Sequence, residues 1–238
     1  MFETEVADGV LRFSHPETRW LSTGWNGGLV SADAAYNVTV PDGFDRTDID
    51  AYTRARRRDA GFGDPGPTLL TGVDMTHACG ARHDSVTCVA TAGISNPAAL
   101  PMDPESEGQP AGSDGASEVD EPPPGTVNLL LGTTHALDDG ALATLLATAV
   151  EAKTATLLAR TGFPGTTTDA AVVGCDPTGE ATPFAGSATA LGASTRACVR
   201  EAVSVSLESR YATTDVPASV EDAAHGVTTR QQATVFDP

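Results

Sequence analysis

The sequence holds a single lysine. Lys153 is alone among 14 basic residues, and every other one is an arginine. Those 14 face 32 aspartates and glutamates, which leaves a formal charge of −18. Phosphate backbones are bound by clustered lysine and arginine, so a chain this acidic is not expected to bind nucleic acid. Aromatic residues are also scarce, at 5%. Alanine, glycine and threonine fill much of the remainder, which predicts close packing of small side chains. No uninterrupted apolar run approaches the roughly 18 residues needed to span a bilayer, so no membrane partner is expected. The first residues, "MFETEVADGV", are acidic and lack an apolar stretch, and no signal peptide is expected there. The four cysteines, Cys79, Cys88, Cys175 and Cys198, form no C-x-x-C pair. In a chain of 238 residues they read as reduced thiols of a cytoplasmic protein. No phosphate loop of the G-x-G-x-x-G or G-x-x-x-x-G-K-[ST] type is expected, and the nucleophile elbow G-x-S-x-G is absent.

What is present first is acid. Aspartate and glutamate coating a surface repel one another and are tolerated when salt screens them. An acidic, lysine-poor composition therefore looks like that of a salt-accumulating halophile. The length fits one large domain or two small ones and is ample for a real core. "GVLRF", "RWLST" and "YNVTV" read as strands separated by "SHPET" and "GWNGG". A helix is expected from about Asp45–Asp48 to a stop at Gly61. "TLLTGV", "SVTCVATAG", "TVNLLLGTT" and "DAAVVGC" read as further strands, and "ATVF" as a short edge strand. Two long helices are expected, one closed by Gly162 and one over "GASTRACVREAVSVSLES". Residues 103–124 have no apolar period and are acidic and rich in proline, glycine and serine. They read as a disordered insertion within one domain spanning 1–238. Strands mixed with helices predict an α+β domain, with a mixed sheet and helices packed on it.

Lys153 falls on the apolar stripe of its helix, with Leu142, Leu146, Ala149 and Leu157. Glu151 lies on nearly the opposite face. A buried ammonium is costly unless paired, and arginine is the usual residue for paired sites. A lysine kept here implies that a compact cation is wanted; the alternative is a side chain snorkelling off the stripe. Just after the helix, "GFPGTTTDAAVV" offers backbone donors, hydroxyls and the carboxylate of Asp169 together, or is an ordinary helix-to-strand connection. In "TAGISNP", Pro97 holds Asn96 extended, where it can donate to an oxyanion or make an Asx turn. "STGWNGG" carries Trp25 and Asn26, either as a plain hairpin or as a flat aromatic and an amide at a site. His77, Cys79, His83 and Cys88 match no strong zinc spacing, and a hairpin is the simpler expectation.

Taken in order, these stretches resemble the adenosylcobinamide amidohydrolase family. "WLSTGWNGG", "ATAGISNP", "GTVNLLLGTTHALDDGALATLLATAVEAKTATL" and "GTTTDAAVV" carry the resemblance, which covers nearly all the chain outside the insertion and the tail. It implies hydrolysis of the amide that joins aminopropanol to the corrin propionate arm. The products would be adenosylcobyric acid and 1-amino-2-propanol, returning scavenged cobinamide to adenosylcobalamin synthesis in the cytoplasm. The cobalt belongs to the corrinoid substrate, so neither a protein metal nor another cofactor is implied. The catalytic candidates are Lys153, Asp169 as base or water activator, Thr168 as nucleophile, and Glu151. The substrate-binding candidates are Trp25, Asn26, Gly27, Asn96, Asn128 and Thr167. Two departures stand out. The loop reads Thr166, Thr167, Thr168 where the family tends to alternate glycine and threonine, and Ala188 stands where it often has histidine. The other expected classes are a corrinoid-binding protein without turnover and a metal-dependent hydrolase built on His77, Cys79 and His83.

With a charge of −18, stability should depend steeply on screening. Thermal melts taken from molar salt down to about 0.1 M, where the Debye length is about 10 Å, should show a large fall in midpoint. A flat profile contradicts the halophilic reading.

Overall fold

The computed structural model describes residues 1–41, 43–103, 126–223 and 225–238. The insertion expected at 103–124 lies, apart from Asp103, outside the described residues. Eight strands form one sheet: β1 (Glu3–Ala7), β2 (Val10–Ser22), β3 (Gly28–Thr39), β4 (Thr68–Thr71), β5 (Cys79–His83), β6 (Val86–Ala92), β8 (Val127–Ala136) and β9 (Ala170–Ala181). Their order is β4-β3-β2-β9-β8-β6-β5, with β1 also paired to β2. The pairs β3–β4 and β8–β9 are parallel and the others antiparallel, so the sheet is mixed and the domain α+β. Two short strands, β7 (Ala98–Ala99) and β10 (Val227–Thr228), pair apart from it. Three helices complete the described fold: α1 (Ile49–Asp59), α2 (Asp139–Thr161) and α3 (Ala190–Arg210).

Side chains alternate across the central strands, as a sheet buried on both faces requires. Leu129, Leu131, Val173, Cys175, Val86, Cys88 and Ala90 turn to one face and pack with α2 and α3. Leu130, Val172 and Val89 turn to the other and meet Phe2, Phe13 and Trp20. The few aromatic rings are seated on glycines. A β-carbon on Gly132 would come within 2.5 Å of the Phe2 ring, and one on Gly174 within 2.5 Å of Trp20.

The sheet is strongly curled. β8 and β3 are three strand spacings apart, roughly 14 Å in a flat sheet. Yet the Asn128 amide donates to Asn37 Oδ1 at 2.9 Å and to the Leu70 carbonyl at 2.8 Å. Asn37 in turn donates to Thr91 Oγ1 on β6 at 2.9 Å. All three polar side chains are buried. Twist supplies the curvature, and this chain of amides ties the β3–β4 edge to the starts of β8 and β9.

Local signals set the helix ends. Asp48 caps α1 by accepting from Ala51 N, and Gly61 follows at φ +83°. Asp138 caps α2 through Ala141 N, and Gly162 closes it in the left-handed region. By length and composition α2 is apolar enough to cross a bilayer, which no uninterrupted apolar run suggested, because alanine and threonine dilute its leucines. Half of that stretch is buried, against β9 and α3.

Two expectations need correcting. "SHPET" does not separate two strands; it is a bulge within one 13-residue strand, β2, where the register shifts between Ser14 and Thr18. Pro16 has no N–H to lose there, Glu17 takes φ +52° and Asp33 Oδ1 accepts from its N–H. "ATVF" forms no strand, with Val235 and Phe236 both largely exposed; the tail pairs instead through β10. The acidic β1 and the charged β5 gave no apolar alternation to read.

Asn37→Ala removes the centre of the amide chain and strands one donor on Asn128 and an acceptor on Thr91. A loss of about 2–4 kcal/mol is expected, at roughly 1–3 kcal/mol per buried group left unpaired. Urea unfolding in molar salt measures it.

Candidate active site

β8 and β9 begin side by side, and what precedes them converges. Residues 165–169 lead into β9 and Thr126 leads into β8. The centre is Asp169. Its Oδ1 accepts from Val127 N at 2.9 Å and from Thr166 Oγ1 at 2.5 Å. Its Oδ2 accepts from Thr166 N at 3.1 Å and from the Lys153 ammonium, which reaches in from α2. The two charged side chains are only 9% and 12% exposed, so each neutralises a charge that would otherwise be buried alone. Gly165 lies against them: a β-carbon there would sit 2.6 Å from Asp169 Oδ2 and 3.6 Å from Lys153 Nζ. A compact ammonium fits this space better than a forked guanidinium.

An ionised carboxylate offers about four acceptor positions, and Asp169 has four donors on it. As placed it is a hub that fixes the loop. Asn96, wholly buried after β6, holds the loop from the other side. Its side-chain amide donates to Thr167 Oγ1 at 2.7 Å and to Thr168 Oγ1 at 3.3 Å, and its main-chain carbonyl accepts from Thr167 N at 3.1 Å. Thr126 Oγ1 donates to the Thr168 carbonyl at 2.7 Å, and Ala98 N to that of Gly165 at 3.0 Å.

Thr126, Thr168 and Asp169 open onto a cavity of about 260 Å³ whose other wall includes Trp25, Phe44 and Leu70. Trp25 also borders a neighbouring cavity of about 390 Å³, with Asn26 and Gly27. The tip of the β2–β3 turn is tight: a β-carbon on Gly27 would come within 2.3 Å of the Ser22 carbonyl. Lys153, Thr167 and Asn96 thus stand behind the cleft that Asp169, Thr168 and Trp25 line. Two candidates lie elsewhere. Glu151 is on the exposed face of α2, and Asn128 is spent on Asn37 and Leu70 inside the curled sheet.

Sequence reasoning missed Thr126, Thr166 and Asp50. Asp50 accepts from both Trp25 Nε1, at 3.1 Å, and the Asn26 amide, a contact across 25 residues that no local pattern signals. The expectation that no G-x-G-x-x-G loop is present is also wrong, because Gly61-Phe62-Gly63-Asp64-Pro65-Gly66 has that spacing. That segment links α1 to β4, and so lacks the strand-to-helix setting that aims a helix N-terminus at phosphate. His77 and His83 bond the hydroxyls of Ser209 and Ser194 at 2.9 Å. Among the described residues no three His, Cys, Asp or Glu side chains converge as a metal site would require. Burial pushes the Cys88 thiol far above its ordinary range, and that of Cys198 up to about 11.

The model of the adenosylcobinamide amidohydrolase family matches residues 2–215. The chain belongs to that family. It is 57% identical to an adenosylcobinamide amidohydrolase of Halobacterium salinarum, over the whole of both chains. It is 30% identical to one of Methanosarcina mazei, over 80% of this chain and 90% of that one. No solved structure matches. In this amidohydrolase Ala188 is exposed and lies past the far end of β9, on the way to α3. A histidine there would not stand in the cleft of Thr168 and Asp169.

Asp169→Ala should leave the Lys153 ammonium buried and unpaired, at a cost of about 3–5 kcal/mol. Adding Lys153→Met should recover a large part of that loss. A double-mutant cycle by denaturant unfolding measures the coupling, and strictly additive losses contradict the pairing.

Proposed function

We propose that this chain hydrolyses adenosylcobinamide at the amide between the corrin propionate arm and aminopropanol. Water adds to the carbonyl carbon, the C–N bond breaks, and the leaving nitrogen takes a proton. The products are adenosylcobyric acid and 1-amino-2-propanol, and the reaction feeds salvaged cobinamide back to adenosylcobalamin synthesis in the cytoplasm. The observation that carries this reading is end-to-end identity of 57% with a relative of that name. The cleft lined by Thr126, Thr168 and Asp169 supports it.

In this reading the scissile amide enters that cleft. Thr168 meets it as nucleophile or as the group that orients water, and backbone donors of the loop receive the developing oxyanion. Lys153 is a positioning residue: through Asp169 it holds the loop in the geometry the reaction needs, and it does not touch the substrate. A second reading, corrinoid binding without turnover, draws support from the four donors that occupy Asp169 and leave it no free lone pair for a base.

Incubating the purified protein with adenosylcobinamide in molar salt, in the dark, separates them. Release of 1-amino-2-propanol, undiminished by a chelator, is expected. Tight binding without release identifies the second reading, and loss of release on chelation points to a metal-dependent hydrolase. Lys153→Arg should fold and bind, yet lose on the order of 100-fold in turnover, the scale of disturbing one preorganised oxyanion donor.

A further inference from the structure

Trp25 is 57% exposed, although the chain has few aromatic rings and hides its other tryptophan completely. An exposed ring at a hairpin tip would ordinarily turn freely. This one is fixed, because its indole N–H and the Asn26 amide both bond Asp50 in the first turn of α1. The turn is itself constrained, with Asn26 at φ +49° and Gly28 at φ +112°. Leu29 and Val30 follow it, 53% and 44% exposed, and with Trp25 they line the cavity of about 390 Å³. On a protein of charge −18, an apolar floor beside a rigid aromatic face is a feature that a ligand explains.

The facing wall is polar. Thr53, Arg54 and Arg57 of α1 line it, with Pro65 to Thr68. Arg57 is fixed within the wall, its guanidinium donating to the Gly66 carbonyl at 3.0 Å and to Thr68 Oγ1 at 3.3 Å. Arg54 is exposed and can reach into the cavity. A flat ring to stack on, an apolar floor, donors from arginine and acceptors from Asp50 together suit a nucleobase with its sugar. The volume lies at the small end of the range for ligand cavities, which suits a nucleoside and not a corrin macrocycle. This cavity and the cleft of Thr168 and Asp169 share Trp25 and Thr68 as a common ridge.

We infer that the cavity between the β2–β3 turn and α1 is the pocket for the adenosyl group of the corrinoid, with Trp25 stacking on the adenine. The inference rests on the corrinoid reading proposed above and adds to it what makes the protein select the adenosylated form. The nucleoside enters on one side of the ridge, the aminopropanol amide on the other, and the corrin lies over the ridge, too wide for either cavity. Asp50 positions the indole and presents its remaining acceptor capacity to the sugar or the base amine.

Equilibrium dialysis in the dark, in molar salt, tests this with adenosylcobinamide and with cyanocobinamide, which has no nucleoside. The wild type should bind the adenosylated form about 10-fold or more tightly than the cyano form. Trp25→Ala should lose about 10- to 100-fold in affinity for adenosylcobinamide, the range for one base–aromatic stack, and so lose the preference. Trp25→Phe should keep part of it. Equal affinities in the wild type, or a preference that survives Trp25→Ala, overturns the assignment. Hydrolysis is scored separately. A preference without turnover sinks the proposed reaction but leaves the pocket standing, and turnover without a preference does the reverse. Failure to bind either corrinoid overturns both.

Discussion

Asp169 is where the architecture is decided. One carboxylate gathers a backbone donor from the first residue of β8, a hydroxyl and a backbone donor from its own loop, and the ammonium of α2. A strand start, a loop and a helix are thereby pinned at one point by a charge that has nowhere else to go. The pair is held tightly because breaking it strands a charge in the interior, even though an intact buried pair need not stabilise the fold over an apolar substitute. What the pair secures is geometry: with Asp169 and Lys153 where they are, position 165 has room for glycine alone, and Thr168 rides on the same loop.

The curl of the sheet then makes a cleft out of that fixed loop. In a flat sheet the β3–β4 edge would be well over a strand spacing away from the starts of β8 and β9. The buried Asn128–Asn37–Thr91 chain closes that distance and sets Leu70 and its neighbours opposite Thr168. Helices α2 and α3 take no part in this closure. They cover the opposite face, and α2 contributes to the site only through its one long cationic side chain.

Much of this was legible before the structure, and what was not shares a cause. β8, α2, the start of α1 near Asp48 and the stop at Gly162 are written in local pattern, and the structure agrees with them. Lys153 gave itself away by standing on an apolar stripe, and its pairing with Asp169 spans only 16 residues and one left-handed turn. The missed features depend on contacts between distant segments. Asn128, a substrate-binding candidate only through the family resemblance, makes a cross-sheet tie, and the curl that allows it is invisible to a period-2 pattern. The bulge at "SHPET" looks like a turn because proline and a left-handed Glu17 serve either purpose. Asp50 behind Trp25 belongs to a helix that nothing in the turn announces.

The composition itself acts as a filter. If a chain can trade almost every surface ammonium for arginine or carboxylate, the residue that escapes the trade marks the position where no alternative fits. Lys153 escapes because its surroundings accept a single compact cation, against a glycine that leaves no room for a wider head group. The consequence reaches chemistry at the surface. Apart from the N-terminus, the folded protein presents no accessible primary amine, so amine-directed acylation, aldehyde cross-linking and Schiff-base formation have almost nothing to grip until the loop around Asp169 opens.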